Sequence, residues 1–268
     1  FDSTSPLKLR WGHVPSALPW FLRFIAAARP SRVEEIAAAR NSLLVHTHAG
    51  YAPLIEDADA RQWVKDDGLM MLFESEEAFR NAAYALDLRR RHGVHMDILD
   101  GNEARQMEPA LSPRIIKAVS LPDVNRTIDP WRLCDALAQD FVRRGGEIVN
   151  AEVRGFEIGG EGPTKIVTDH GPMDVETVVL AAGVWSRPLA KQLGTSVPLE
   201  AERGYHVMFS NQEFGLRRAL VSADRSVSLA HMHEGIRATG VAEFAAPDAP
   251  ADMRIADMIA RHAKELVP

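Results

Sequence analysis

Cysteine is all but absent: Cys134 stands alone, so no disulfide can close within the chain and no cysteine cluster can hold zinc or an iron–sulfur centre. That fits a reducing compartment. Long apolar runs are missing too. The best candidate, Leu18 to Ala28, is interrupted by Arg23 and falls short of the roughly 18–20 apolar residues that cross a bilayer. The chain therefore reads as soluble and cytoplasmic, with peripheral contact at the inner face of a membrane left open. Lysine and arginine form no run, and 37 acidic against 31 basic residues leave a net charge of −6, which argues against nucleic acid as a partner. There is no internal repeat, no low-complexity tract and no signal-peptide pattern; the chain opens on Phe1, and both ends read as cuts within a longer protein. What is present, 46% hydrophobic and 25% charged over 268 residues, suffices for one large domain or two modest ones.

Helical spacing runs from Ser16 to Ala28, and a second helix is expected from Ser31, where Ser31-Arg32-Val33-Glu34 has the form of a capping box. Leu69 to Phe73 reads as a buried strand, Glu76 to His92 as a helix closed by Gly93, and Leu99 to Pro109 as a strand end, a turn and a short helix. Ile115 to Leu121 is β-like. Asp129-Pro130 supplies an N-cap and first-turn pair for a helix to about Arg144, with a strand expected from Glu147 to Asn150. Val153 to Ile158 and Lys165 to Thr168 flank a glycine-rich turn, the mark of a β-meander. Thr177 to Gly183 carries the strongest strand signal, almost continuously apolar as a strand covered on both faces should be, and a helix follows from Arg187 to Leu193. Beyond Pro198, short strands at hairpin spacing (Tyr205 to Phe209, Ala219 to Ser222, Val227 to His231, Ile236 to Val241) predict a mostly antiparallel sheet, closed by a helix from about Ala251 to Leu266.

A buried strand ending in Ala181-Ala182-Gly183 would put residues without bulk where backbone amides can approach a ligand; equally, those residues would allow tight strand-to-helix packing. The run Val178 to Ser186, followed by Leu193-Gly194, Pro198 and Glu202-Arg203-Gly204-Tyr205-His206, resembles the second FAD motif of the D-amino acid oxidase superfamily and its passage into the substrate sheet. Asp129-Pro130, Gly145-Gly146 and Val153 are placed as in that family, and the D-amino acid dehydrogenase-like branch is the most similar. The resemblance implies an α/β and α+β fold, part of a Rossmann-like FAD-binding domain interleaved with an antiparallel-sheet substrate domain. Its expected division is 1–122 (a helical segment and the first part of the substrate domain), 123–199 (part of the FAD-binding domain) and 200–268 (the second part of the substrate domain). It also implies FAD as cofactor, with Val153 meeting the adenine end and Ala181, Ala182, Gly183 and Trp185 along the path from pyrophosphate to flavin. The family's opening Gly-x-Gly-x-x-Gly, whose amides and helix N-terminus hold the diphosphate, is not in this sequence.

Flavin-dependent oxidation of a C–N bond asks the protein mainly to orient the substrate, and an amino-acid carboxylate calls for a guanidinium whose fork matches its two oxygens. Arg203, Arg237 and Arg225 fall on or beside the expected pocket sheet, Tyr205 and His206 alternate faces on one strand, and Tyr205 with Arg237 is the leading pair. Glu243 is expected to pair with an arginine and fix the sheet. His231 and His233 share a strand face but lack further ligands at a convincing spacing, so no metal is expected. The expected reaction is oxidation of a D-amino acid or similar small amine-bearing acid, with oxygen or a quinone as electron acceptor. Alternatives are a related flavin oxidase of glycine or sarcosine, and a non-catalytic binding remnant of the same fold.

Overall fold

The structure is a computed structural model and describes residues 7–160, 162–210, 215–246 and 248–268. Along the chain run β1 (Leu7–Leu9), α1 (Val14–Ala27), α2 (Pro30–Leu44), α3 (Thr47–Asp57), β2 (Val64–Lys65), β3 (Leu69–Phe73), α4 (Glu76–Asn81), α5 (Ala83–Arg91), β4 (Asp97–Asp100), α6 (Gly101–Met107), β5 (Lys117–Leu121), β6 (Arg126–Thr127) and α7 (Pro130–Arg143). They are followed by β7 (Val153–Ile158), β8 (Pro163–Thr168), β9 (Gly171–Asp174), α8 (Ser186–Gln192), β10 (Glu202–Ser210), β11 (Ala219–Ser222), β12 (Val227–Met232), β13 (Gly235–Phe244) and α9 (Arg254–Leu266).

Among the described residues eight strands form one mixed sheet in which β4, β5, β3, β11, β12 and β13 are neighbours in that order. Here β10 pairs along the full length of β13, and β1 runs beside the end of β13 that β12 does not reach. The β11–β3 and β1–β13 pairs are parallel and the rest antiparallel. Residues near both ends of the chain thus share one sheet.

One face of that sheet is covered by α9. Its buried Ile255, Met258, Ile259, Ala263 and Leu266 recur at helical spacing and pack with Leu220, Leu229, Ile236 and Ala238. Full burial of Ile259 and Leu266 is worth about 1.5–3 kcal/mol each. A second cluster, Phe73, Leu86, Val119 and Leu121, seats α4 and α5 on the other side of β3 and β5.

Local chemistry explains most boundaries. Asp100 and Glu103 form a capping box at α6, and the Asp129 carboxylate accepts from the Arg132 amide to start α7 with Pro130 in its first turn. The box expected at Ser31 does not form: Pro30, whose φ is preset for the first turn, starts α2 one residue earlier and draws Ser31 inside it. Glu76 to His92 is two helices with a break at Ala82.

Two expected strands are absent. Residues 147–150 are irregular, and Thr177 to Ala182 is an unpaired segment with Val179 86% exposed. Its composition is that of a central parallel strand, but such a strand exists only through hydrogen bonds to neighbours, and no described strand lies beside it. The three-stranded meander β7-β8-β9 stands where expected.

Candidate active site

The site is built on the pairing of β10, β13 and β12. On the sheet face that α9 leaves open, successive rows run Ser228, Thr239, His206, then Ala230, Arg237, Met208, then Met232, Gly235, Ser210. Rows lie about 7 Å apart and neighbouring strands about 4.8 Å.

A bulge decides what shares this face. The β10–β13 register shifts at Gly204/Tyr205, and Val241 absorbs the extra residue at φ 54°, a left-handed conformation costly for a β-branched side chain. Without it, the even spacing of Arg237 and Glu243 would place both on one face. With it, Val241 and Glu243 turn toward α9 and join the buried residues, leaving Arg237 behind.

On the covered side the polar groups around Glu243 are paired with one another. The Tyr205 hydroxyl donates to Glu243 Oε2 at 2.6 Å and accepts from the Asp252 amide at 2.9 Å. Arg10 Nε donates to Glu243 Oε1 at 2.5 Å, and Arg203 lies 3.5 Å from Oε2 while donating to the Ala249 carbonyl at 2.6 Å. Burial works to raise the Glu243 pKa, but the hydrogen bonds from Tyr205 and Arg10 and the two guanidinium charges outweigh it, holding the carboxyl below its ordinary value. Tyr205 and Arg203 are thereby placed in a sheet-fixing network rather than beside Arg237. Arg225 is likewise engaged, by Glu74 at 2.5 Å and by Glu265.

On the open side Arg237 is half-buried, and its Nε is fully enclosed without a hydrogen-bond partner. It lines a cleft of about 390 Å³ together with His206, Met208 and Met232. The cleft is roofed by the segment entering α7, Ile128 to Arg132, which is tied down at two points. The His233 amide donates to the Ile128 carbonyl, and Arg126 reaches both the His231 carbonyl at 2.5 Å and the carboxylate of Asp67 at 2.5 and 2.8 Å. Trp63 braces the mouth, edge-on to His233 with the Arg132 guanidinium 5.0 Å from its ring. His231 and His233 hold no metal-ligand cluster among the described residues.

Of the expected substrate residues, the fold brings His206 and Arg237 to one cleft and turns Arg203 and Tyr205 away. Met208, Met232 and the Ile128–Arg132 roof were not singled out by sequence reasoning. The alternation of β10 could have identified Met208 as sharing the face of His206, but nothing local ties the start of α7 to the β12–β13 turn about a hundred residues later.

For the cofactor, Val153 begins β7, and Ala181 to Trp185 lead into α8, whose Gln192 donates to the Arg154 carbonyl at 3.3 Å. The two stretches therefore belong to one unit. Ala181, Ala182 and Gly183 are exposed, Gly183 has φ 57°, and a Cβ built there would meet nothing within 4 Å. An open, small-residue stretch of this kind fits a ligand laid along backbone; no glycine-rich helix N-terminus for a diphosphate is present among the described residues.

The model of a family described as FAD dependent oxidoreductase (DAO) matches residues 14–268. A D-amino-acid oxidase from Bradyrhizobium diazoefficiens is 32% identical over the whole chain, and a D-amino acid dehydrogenase from Dechloromonas aromatica is 25% identical over 90% of it. The chain spans 63% and 60% of the length of these relatives. Among solved structures, glycine oxidase from Bacillus cereus superposes with a TM-score of 0.71 over 90% of this chain and 65% of its own, at 21% identity, a likeness of fold. The chain belongs to the DAO family of FAD-dependent oxidoreductases.

Proposed function

We propose that the protein of which this chain is part oxidises the C–N bond of a D-amino acid or a similar small amine-bearing acid, using FAD. The observation that carries the reading is Arg237: a guanidinium half-buried in a cleft, its Nε enclosed and unpartnered, beside His206. A desolvated cation without an anion is costly unless a ligand supplies one, and a carboxylate matches its fork. The names of the relatives, D-amino-acid oxidase and D-amino acid dehydrogenase, support the same substrate class.

Arg237 would hold the carboxylate, and His206, on the adjacent row, would face the amine end and take up its proton. Bound FAD would supply the two-electron acceptor for hydride leaving the substrate carbon. Val153, Ala181, Ala182, Gly183 and Trp185 would line its path.

The test is the visible spectrum of the protein expressed with its natural flanking sequence. A flavin spectrum that bleaches on anaerobic addition of a D-amino acid is expected; colourless protein, or flavin that D-amino acids leave oxidised, overturns the reading and favours a binding remnant. Recovery of the spectrum in air identifies oxygen as acceptor, and recovery only with a quinone identifies that class. Peripheral membrane contact is supported by Leu18, Leu22 and Ile25, which form an exposed stripe at helical spacing on α1. Sedimentation with anionic vesicles would test it.

A further inference from the structure

The cleft has a floor plan that says more about the substrate than its carboxylate. The positions flanking Arg237 are unequal. Met208 lies beside it on β10, but Ala230 on β12 and Gly235 in the next row present almost no side chain. Gly235 cannot readily be anything else: its φ is 133°, and a Cβ there would lie 2.3 Å from the Phe209 carbonyl oxygen. A lane therefore opens from the guanidinium toward the β12–β13 turn, walled by the side chains of Met208 and Met232, with Trp131 at the roof. Both walls are unbranched thioethers, which adapt to varied apolar shapes. At its outer end stands Glu234; on the roof side the Asp129 carboxylate is taken up by the Arg132 guanidinium at 3.2 Å and the Arg132 amide at 3.0 Å.

On the reading of the cleft as an amino-acid site, we propose that this lane receives the substrate side chain and selects an amino acid with an unbranched apolar side chain, the length of methionine or norleucine, over glycine and over acidic amino acids. Glycine would hold its carboxylate on Arg237 and leave the lane to water. The cleft, about 390 Å³, has the size of a pocket for a whole small ligand, ~300–1,000 Å³, rather than for a bare carboxylate and amine. An acidic side chain of the same length would bring its charge to Glu234, whereas Asp129 is paired with Arg132.

The experiment uses the full-length, FAD-loaded protein. Turnover is compared for glycine, D-alanine, D-methionine and D-glutamate, and binding is measured for the unreactive carboxylates acetate, butyrate and hexanoate by tryptophan fluorescence. The expected result is a kcat/KM for D-methionine at least tenfold above those for glycine and D-glutamate, with affinity rising about fourfold per methylene along the carboxylate series. Met232→Trp, which fills the lane, should cut the D-methionine to glycine ratio at least tenfold; Met208→Ala, which widens it, should raise D-phenylalanine relative to D-methionine. Glycine turned over as well as D-methionine, or affinity flat from acetate to hexanoate, overturns the proposal while leaving Arg237 as the carboxylate site. If no carboxylate binds at all, acetate included, the reading of the cleft itself falls and the lane with it, because a blocked lane would still admit acetate.

Discussion

The two faces of the β10–β13 pair carry the same chemistry to opposite ends. Toward α9, Arg10 and Arg203 converge with Tyr205 on Glu243, a carboxylate 2% exposed, and each polar group in that knot has a partner. Toward the cleft, Arg237 is partly enclosed and has none. Arginine on a strand is therefore uninformative by itself. What separates a structural guanidinium from a binding one is whether the fold has already supplied its anion, and here one bulged residue, Val241, decides which of them receives Glu243.

The covered face should fail first in stability. Glu243→Ala removes the acceptor shared by Tyr205, Arg10 and Arg203. Because both guanidiniums are partly exposed and keep the Pro250 and Ala249 carbonyls, the expected loss of unfolding free energy is about 3 kcal/mol, the low end for breaking a buried pair, measured by urea denaturation. A loss below ~0.5 kcal/mol, the level of an ordinary surface change, would mean that the network is ornamental and that the comparison has no energetic content.

The open face should fail in binding instead. Arg237→Ala removes no described hydrogen bond or ion pair, so stability is expected to stay within ~0.5 kcal/mol, while carboxylate affinity falls by about 2–3 kcal/mol, the worth of a charge-assisted pair. Equilibrium unfolding and carboxylate titration on the same sample separate the two. If Arg237→Ala unfolds the protein as Glu243→Ala does, the arginine is structural after all.

Tyr205→Phe sharpens the contrast within the covered face. It deletes one O–H donor to a charged acceptor and leaves the ring in place, for an expected loss of about 1.5 kcal/mol. Because the hydroxyl also accepts from the Asp252 amide at the entry to α9, hydrogen exchange in the first turn of that helix should accelerate with it. Exchange confined to β10 would place the effect elsewhere.

How much of this could be read from the chain depended on the range of the interaction. Local signals are legible: Asp129-Pro130 starts α7, Gly93 closes α5 with φ 79°, Leu69 to Phe73 is a strand, and the helix expected from about Ala251 to Leu266 is α9, which starts at Arg254. Glu243 pairs with arginine as its pattern suggested. Thr177 to Gly183 shows the opposite case, since its apolar composition describes what such a segment does between neighbours, and composition cannot supply them. The pairing of Tyr205 with Arg237 was misjudged for a related reason. Alternation places side chains on faces only until a bulge resets the count, and a left-handed valine carries no sequence signature.

The smallest expected effect tests the covered face by its acidity. His262 on α9 is 8% exposed, and its Nδ1 is enclosed without a partner. Burial chiefly, then the charges of Arg225 from the β11–β12 turn and Arg261 on its own helix, hold its pKa below the usual imidazole value; Glu265 and Glu74 act the other way. A depressed pKa means that the folded state resists the proton that the unfolded chain accepts near pH ~6.5. The contribution is therefore complete above that pH and is lost as the pH falls through the folded value. His262→Leu should flatten the decline in stability as the pH falls below about 6.5, where the wild-type chain takes up this proton more readily unfolded than folded. Urea denaturation of the full-length protein at several pH values across that window measures it. Identical slopes for the wild type and His262→Leu would show that the imidazole exchanges its proton freely beneath α9, and that the covered face is more open to water than its burial implies.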